Sequence, residues 1–314
     1  MSACLVCGES GFTPLFTASD RLYRTTARQF AVIRCSACGL IRLDPQPQPD
    51  ELRRYYPENY WFAPDRSAAS RWEEAYRCLV LRDHVAFVSR ALRRSTARGP
   101  VLDIGCGGGL FLGMMRQRGF RVTGLDFSPE AAAIAWHRQQ VPAVCGMLEN
   151  SPLRPRVFAC VTMFHVLEHL YDPRVYLIAA HQLLVPDGRL VVQVPNAACW
   201  QFRLLGRRWN GTDVPRHLFD FRDADLERLV ESCGFEVVRR KHFSLRDNPA
   251  GLASSLAPAL DPMARRVRRV PEGSAVRLAK DLAYFALVVA SIPFTLVEAA
   301  CHAGSTIMIE ARKR

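Results

Sequence analysis

The most informative segment of the sequence for the fold is Val101-Leu-Asp-Ile-Gly-Cys-Gly-Gly-Gly109. Its first four residues, apolar except for Asp103, predict a short buried strand, and the glycines predict a tight turn that leads into a helix. Glycines let the backbone approach a ligand closely, and the start of the following helix favours a polar or anionic group. The dinucleotide fingerprint GxGxxG requires glycine where this chain has Leu110, so the pattern disfavours a dehydrogenase.

Two acidic residues belong to the same pattern. Asp103 lies just before the glycine turn, where a carboxylate suits the ammonium group of an amino-acid-like ligand. Asp126 ends the next predicted strand, 21 residues after Gly105. In a doubly wound sheet this position reaches the hydroxyl groups of a ribose. The glycines and the two acids together predict a site for S-adenosylmethionine (SAM).

The sequence around this site alternates between strands and helices. The apolar periodicity predicts strands at residues 101–104, 120–125, 157–163, 189–194, 235–243 and 305–310 and helices at residues 129–137, 173–184 and 223–233. Alternation of this kind predicts an α/β fold with a doubly wound, mostly parallel, Rossmann-like sheet.

The N-terminal region carries a different motif. Two CxxCG pairs contribute Cys4, Cys7, Cys35 and Cys38, whereas the other seven of the eleven cysteines are scattered singly. Four thiolates from two tight turns close a tetrahedral zinc shell, which makes the predicted site structural rather than catalytic. Four unligated core cysteines are the alternative. The spacing is that of a metal site in a reducing compartment and not of a disulfide framework.

Composition limits the classes of function that need to be considered. The chain has 314 residues, of which 49% are apolar, so global disorder is excluded. Its 42 basic and 30 acidic residues give a net charge of +12, which permits a polyanion, an acidic lipid surface or a phosphorylated substrate without choosing among them. Residues 1–10 lack the features of a secretory signal, and we expect a cytoplasmic protein.

We expect five segments along the chain, with the first boundary at the Pro-rich stretch 44–49. They are a zinc-ribbon-like domain at residues 1–45, a linker and helical cap at 46–98, a SAM-binding core at 99–245, a basic and apolar helical insertion at 246–304, and the last core strand with a tail at 305–314.

Four motifs resemble those of class I SAM-dependent methyltransferases: Val101–Gly109, Gly124-Leu-Asp-Phe-Ser-Pro129, His165-Val-Leu-Glu-His-Leu-Tyr-Asp-Pro173 and Leu184-Val-Pro-Asp-Gly-Arg-Leu190. The N-terminal part resembles the zinc-binding segment that precedes this fold in sugar C-methyltransferases and related small-molecule enzymes. The resemblance implies a seven-stranded methyltransferase sheet with a helical insertion before its last strand. It also implies SAM as methyl donor, with cofactor contacts from Asp103, Gly105, Cys106, Gly107, Gly109, Asp126, Phe127, Met147, Leu148 and Phe164.

The stretch from His165 to His169 also matches HxxEH, the motif of inverted metalloproteases. It follows a predicted strand instead of lying within a helix, which disfavours a protease. The stretch resembles quinone-pathway O-methyltransferases as well, which carry a glutamate at the place of His165 and use the cluster for a divalent ion. A second metal at His165, Glu168 and His169 stays open. The alternative is that Glu168 and His169 brace the loop while His165 faces the methyl group.

A second group of candidates lies in Asp213-Val-Pro-Arg-His217. This segment follows the predicted strand 189–194, whose end faces the substrate. A histidine titrates near neutral pH and suits a general base, so His217 is the first candidate base and His165 the second. Arg216 suits an anionic group of the substrate. A structural histidine at a loop corner is the alternative.

The insertion near the end of the chain combines basic and apolar sequence. Residues 263–280 carry six basic residues and one acid, and residues 282–297 form an uncharged run of sixteen. A membrane span needs roughly 20 apolar residues, so we do not predict one. A basic stretch beside an apolar one suits peripheral contact of residues 263–300 with the inner face of a membrane. A lid on its own domain and a dimer interface are the alternatives, and the oligomeric state stays open.

The leading hypothesis is methyl transfer from SAM to a small-molecule, glycan or lipid-linked acceptor, at an oxygen, nitrogen or carbon atom. The alternative is an RNA methyltransferase that uses the zinc module to bind nucleic acid, which the net charge would suit. No Asn/Asp-Pro-Pro-Tyr/Phe follows the fourth predicted strand, and residues 1–45 do not interleave aromatic and basic residues, so nucleic acid is disfavoured. A third hypothesis, a non-catalytic protein of this fold, conflicts with the intact glycine turn and both acids.

Overall fold

The structure, a computed structural model, describes residues 3–56 and 68–314. Residues 57–67 of the expected helical cap lie outside the described residues. The strands are β1 Phe12–Ala18, β2 Phe30–Cys35, β3 Ile41–Asp44, β4 Val101–Ile104, β5 Val122–Asp126, β6 Ala143–Cys145, β7 Phe158–Phe164, β8 Leu184–Pro195, β9 Phe219–Asp220, β10 Phe235–Lys241 and β11 Thr306–Lys313. The helices are α1 Pro49–Arg53, α2 Ala68–Arg93, α3 Leu110–Gln117, α4 Pro129–Gln139, α5 Pro173–Leu183, α6 Trp200–Leu205, α7 Asp223–Ser232, α8 Asn248–Leu256, α9 Pro262–Val267 and α10 Ser274–Ala300.

The described chain divides into two compact units, and each is assembled from separate stretches of sequence. The small-sheet unit contains residues 3–56, Pro195–Leu226 and Asp247–Ile307. The large-sheet unit contains residues 68–194, Glu227–Arg246 and Met308–Arg314. The N-terminal cysteine segment and the insertion therefore belong to the same unit, although more than 200 residues separate them in sequence.

Seven strands form the large sheet in the order β10-β11-β8-β7-β4-β5-β6. Strands β6, β5, β4, β7 and β8 pair in parallel, whereas β10 and β11 pair antiparallel. The expected seven-stranded, doubly wound sheet is confirmed. The chain order reverses between β4 and β7, and open α/β sheets bind ligands beyond the carboxyl ends of the strands at such a switch point.

Local sequence explains the starts of two helices in this unit. Helix α4 begins at Pro129, directly after Ser128, and α5 begins at Pro173, directly after Asp172. Ser128 and Asp172 each accept a hydrogen bond from a backbone N–H of the first turn. A capping side chain followed by proline is the usual start signal of a helix, and both predicted starts are confirmed.

The core of the large-sheet unit forms where α2 and α3 pack on the sheet. Val85 and Val88 of α2, Leu112 and Met115 of α3, and Val101 of β4 share one buried cluster. Burying such a side chain fully contributes about 1.5–3 kcal/mol to stability. This packing fixes β4 and α3, the two elements that flank the glycine turn.

The small sheet has the order β1-β2-β3-β9, and each neighbouring pair is antiparallel. Strand β9 pairs Phe219 with Arg42 and Asp220 with Ile41. The sequence does not predict β9, because a strand of two residues is too short to show the alternation of a strand. Its pairing joins the segment after β8 to the N-terminal cysteine segment within the same unit.

The insertion before the last strand is helical, as expected, and consists of α8, α9 and α10. Helix α10 has 27 residues and includes Pro293. It is long and apolar enough to cross a membrane by length and composition, and 22% of its most apolar window is buried in the protein. It is longer than the uncharged run 282–297 suggests, because the helix already begins at Ser274.

Candidate active site

The glycine turn follows β4 and leads directly into α3. Gly105 and Gly107 have φ angles of 73° and 52°, in the left-handed region that favours glycine. A Cβ atom on Gly105 would also lie 2.7 Å from Cγ2 of Val166. Apart from Gly107 itself and its two chain neighbours, no atom of the described residues lies within 4 Å of where a Cβ on Gly107 would stand. The backbone at Gly107 is therefore open to close approach by a ligand.

Asp126 ends β5 and reaches back to the glycine turn. Its carboxylate accepts hydrogen bonds from the backbone N–H groups of Gly107 (N···Oδ2 2.8 Å) and Ser128 (N···Oδ1 2.9 Å). Burial raises the pKa of this carboxyl group above its ordinary value. Each carboxylate oxygen has further acceptor capacity, so Asp126 fits the hydroxyl groups of a ribose.

Asp103 lies in β4 and is only 4% exposed. The hydroxyl group of Thr162, on the neighbouring strand β7, donates a hydrogen bond to its Oδ1 at 2.6 Å. Burial raises the pKa of Asp103 to about 7, and the negative charge of Asp126 adds to the shift. A bound cation would offset the cost of burying this charge. The site therefore fits the ammonium group of SAM.

The other cofactor candidates differ in exposure. Phe127 and Met147, which follow β5 and β6, are 53% and 47% exposed. Leu148 is buried, and the ring of Phe164 packs edge-on against Phe111, with centroids 5.0 Å apart. Exposed apolar side chains beside two neighbouring strands suit the face of an adenine ring. Their contact with the cofactor stays a prediction.

Gly109 and Cys106, two further cofactor candidates of the glycine turn, have structural roles in the turn. Gly109 is the N-cap residue of α3, where it has a φ angle of 73°. Cys106 is buried, and burial raises the pKa of its thiol above the ordinary value. The neutral thiol belongs to the core cluster of this unit, so Cys106 fills space beneath the turn.

His165 is held on both sides at the end of β7. Its Nδ1 lies 3.1 Å from Oε1 of Glu168, and its Nε2 lies 2.9 Å from Nε2 of Gln193. The amide nitrogen of Gln193 can only donate, so the ring accepts at Nε2 and donates from Nδ1 to Glu168. Glu168 is fully buried. This geometry favours Glu168 as a brace of the loop, and it does not favour His165 as a metal ligand.

Arg216 lies in the small-sheet unit and is fully buried. Its guanidinium donates to both carboxylate oxygens of Asp20, each at 2.9 Å, and to Asp213 at 2.9 and 2.6 Å. Its Nη1 also donates to the carbonyl oxygen of Tyr55 at 3.2 Å. Burial alone would raise the pKa of Asp20, but the hydrogen bonds and charge of Arg216 bring it below the ordinary value. The arrangement does not favour anion binding by Arg216.

His217 is 8% exposed and lies in the small-sheet unit. Its Nδ1 lies 2.7 Å from the carbonyl oxygen of Gly211. Because a carbonyl only accepts, Nδ1 carries the proton, and a neutral ring then has its lone pair on Nε2. This tautomer is the one that a general base acting through Nε2 requires. The catalytic role of His217 stays a prediction.

The four N-terminal cysteines converge, as their spacing predicts. Their sulfur atoms all lie within 4.8 Å of one another, with 3.5 Å between Cys4 and Cys38 and 3.6 Å between Cys7 and Cys35. Tetrahedral zinc with Zn–S bonds of about 2.3 Å would hold sulfur atoms about 3.8 Å apart. Burial raises the pKa of the Cys4 and Cys38 thiols, whereas at Cys35 the backbone N–H groups of residues 37 and 38 and the neighbouring thiols outweigh burial and lower the pKa to about 6. The donor set therefore fits zinc.

Three supporting residues do not emerge from the sequence analysis. Thr162 is the register partner of Asp103 in the parallel pair β4–β7, so aligning the two predicted strands could have indicated it. Gln193 is a polar residue within the apolar strand β8, which is a usable signal. Asp20 gives no such signal, because 196 positions separate it from Arg216.

The sheet order, the glycine turn and the two buried acids define a SAM-binding enzyme of the class I methyltransferase type. A family model described as a methyltransferase domain matches residues 72–240, more than half of the chain. The chain belongs to this methyltransferase family, and it is a SAM-dependent methyltransferase.

Individual relatives share part of the chain. It is 33% identical over 160 residues to the ubiquinone biosynthesis O-methyltransferase of Pseudomonas aeruginosa (strain UCBPP-PA14), covering 46% of this chain and 68% of that protein. It is 30% identical over 186 residues to a probable S-adenosylmethionine-dependent methyltransferase of Mycolicibacterium smegmatis, covering 57% and 61%. Geranyl diphosphate C-methyltransferase from Streptomyces coelicolor A3(2) is a similar solved structure, with a TM-score of 0.47 and 15% identity over 74% of this chain and 78% of that one.

The raised pKa of Asp103 predicts that SAM binding weakens at acid pH. Below a pKa of about 7 the cofactor must displace a proton from the carboxyl group, so affinity should be about tenfold lower at pH 6 than at pH 7.5. Asp103→Asn should bind SAM about 10–100-fold more weakly, since a charge-assisted hydrogen bond is lost, and its affinity should be nearly independent of pH in this range. Calorimetric titration at both pH values measures this.

Asp103→Asn should weaken SAM binding, but it should increase the stability of the cofactor-free protein. Between its ordinary pKa and about 7, folded Asp103 holds a proton that the unfolded chain has released, so stability falls as the pH rises through this window. Asp103→Asn removes this loss, and the cofactor-free variant should unfold at a higher temperature than the wild type at pH 8. An equal pH dependence of SAM affinity in the variant and the wild type would contradict the assignment.

Proposed function

We propose that this methyltransferase acts on a small-molecule acceptor and transfers the methyl group of SAM to a hydroxyl oxygen. The observation that carries the proposal is the 33% identity to a protein named for O-methylation in ubiquinone biosynthesis. Glycan and lipid-linked acceptors, and nitrogen or carbon as the methylated atom, are variants of this proposal, and the experiment below separates the lipid-linked acceptors from the water-soluble ones.

We assign the two buried acids to the two polar ends of the cofactor. Asp103 would bind the ammonium group and Asp126 the ribose hydroxyls, with the backbone of residues 105–109 against the ligand. The apolar surface toward the adenine would come from Phe127, Met147, Leu148 and Phe164. Bound SAM supplies a methyl group on a positively charged sulfur, which is already activated toward a nucleophile. The main task of the protein is therefore to align the acceptor.

An acceptor hydroxyl must lose its proton when the methyl group arrives, and His217 is our first candidate for the base. Its Nδ1–H is held by the carbonyl oxygen of Gly211, which supports Nε2 as the atom that takes the proton. His165 is the second candidate. The hydrogen bonds of Arg216 to Asp20 and Asp213 support a role in stability for that residue.

We also propose that the cysteine cluster binds one structural zinc ion. The cysteines flank β1 and β2, so a bound ion would hold the two turns of the small sheet together. Four thiolates leave no open position for water or substrate, and the ion takes no part in the reaction.

The acceptor class can be tested with SAM labelled in its methyl group. The purified protein is incubated with a cell extract that is separated into lipid, water-soluble small-molecule, protein and RNA fractions. We expect label in the small-molecule or the lipid fraction. Asp126→Ala should abolish it, because the ribose-binding carboxylate is lost. His217→Ala should lower the initial rate about 10²–10⁴-fold and leave SAM affinity unchanged, since a base acts only in the chemical step.

Label in the RNA or protein fraction would contradict the proposed acceptor class. His165→Ala serves as the matched comparison for the base. A rate that falls with His165→Ala but not with His217→Ala would reverse the order of the two candidates.

The zinc proposal predicts equimolar zinc in the purified protein. Cys38→Ser should reduce the zinc content and lower the thermal unfolding temperature, because a small sheet without its metal has too little core to stay folded. Cys301→Ser, which changes an exposed cysteine outside the cluster, should retain the zinc. Elemental analysis of the three proteins decides the matter, and full zinc content in Cys38→Ser would refute the site.

A further inference from the structure

Helix α10 presents a continuous apolar face to the outside of the small-sheet unit. Twelve of its residues between positions 278 and 300 are exposed, and every one of them is apolar. They recur at intervals of three and four, which places them along one side of the helix. The set consists of Leu278, Ala279, Leu282, Ala283, Phe285, Ala286, Val289, Ala290, Pro293, Leu296, Val297 and Ala300.

The opposite side of α10 carries the polar residues and faces the protein. Ser291, Thr295 and Glu298 are buried. Glu298 accepts hydrogen bonds from the backbone N–H and the side-chain amide of Gln201, at 2.9 and 2.8 Å. A surface helix of a soluble protein normally buries its apolar side and exposes its polar side. The orientation of α10 is inverted, as expected for a helix whose outer face is covered by an apolar medium.

The contacts of α10 fix it along the surface of its unit. Near its start Asp281 forms an ion pair with Arg265 of α9, and Tyr284 hydrogen-bonds Ser254 of α8 at 2.8 Å. Near its end Glu298 is bound by Gln201. Positions 281 and 298 are about 25 Å apart at 1.5 Å per residue, so the helix is attached along most of its length. Crossing a bilayer would break these contacts, whereas lying flat on one preserves them.

The exposed charged residues beside the start of α10 are basic. Arg269 and Arg277, at the N-terminal side of α10, are exposed. The nearby acids Glu272 and Asp281 are both ion-paired with Arg265. Cations at the edge of an apolar helix face complement anionic lipid headgroups.

Helix α6, beside the C-terminal half of α10, and the residues that follow it also expose apolar and basic side chains. The rings of Trp200 and Phe294 lie 6.2 Å apart, which makes the two helices neighbours. Leu204 of α6 is 72% exposed, and the exposed arginines of this segment are Arg203, Arg207 and Arg208.

We propose that the apolar face of α10 docks flat on the surface of an anionic lipid bilayer, with the flanking arginines against the headgroups. A second copy of the chain is the less favoured occupant, because it would bring the same set of exposed arginines to the interface. The proposal concerns a binding surface of the small-sheet unit, so it stands independently of which acceptor is methylated.

Vesicle flotation of the full chain tests the proposal. The protein should float with vesicles of phosphatidylcholine mixed with phosphatidylglycerol, and less with phosphatidylcholine alone. The double substitution Leu282→Gln and Phe285→Gln should lower partitioning at least about tenfold, because two large apolar side chains leave the face. Arg269→Gln with Arg277→Gln should lower partitioning to the anionic vesicles about 25-fold and leave the neutral vesicles unaffected.

The matched control replaces apolar residues of similar exposure in the large-sheet unit. Ile178 and Val238 are 47% and 45% exposed, against 59% and 54% for Leu282 and Phe285, so Ile178→Gln with Val238→Gln also replaces two exposed apolar side chains and should float like the wild type. All variants should retain SAM binding and the unfolding temperature of the wild type, which together show that both units are folded. Absence of flotation, or flotation that the Leu282 and Phe285 substitutions do not change, would overturn the proposal. So would a concentration-dependent dimer that the same two substitutions dissociate.

Discussion

The burial of two carboxylates at the switch point of the large sheet is the constraint on which the site depends. Asp103 is enclosed between β4 and β7, where Thr162 supplies one hydrogen bond, and Asp126 ties Gly107 to the end of β5. Burial raises the pKa of both carboxyl groups, so the cofactor-free fold carries a cost that a cationic ligand relieves. Buried carboxylates with raised pKa values at the switch point of a sheet mark this position as the candidate binding site.

Local sequence predicted six of the seven strands of the large sheet because their signals are local, whereas the three-residue strand β6 was missed. Strand β4 has the predicted bounds, and α4 and α5 begin at the predicted prolines. Strand β9 was missed because its two residues carry no periodic signal. The grouping of the N-terminal segment with the insertion could not be predicted either, since it depends on contacts between residues far apart in the chain.

In the candidate site, too, the features with local sequence signals could be predicted, and the features that depend on distant contacts could not. The glycine turn and its acids lie within 25 residues, so spacing alone indicated a ligand. For Arg216, the charge of the side chain suggested binding of an anionic group of the substrate, whereas the structure pairs it with Asp20 in a buried network. For α10, hydropathy indicated an apolar helix but not which side faces outward. The side that faces outward is set by contacts such as those of Gln201 with Glu298. These contacts leave the apolar side of α10 exposed.

Calorimetric titration of the intact protein with SAM is the measurement to make first. We expect equimolar binding by the wild type, retained by His217→Ala and lost in Asp126→Ala, with the Asp126→Ala protein still unfolding in one cooperative thermal transition. A folded wild-type protein that binds no SAM would contradict the account. So would an Asp126→Ala variant that binds it with wild-type affinity.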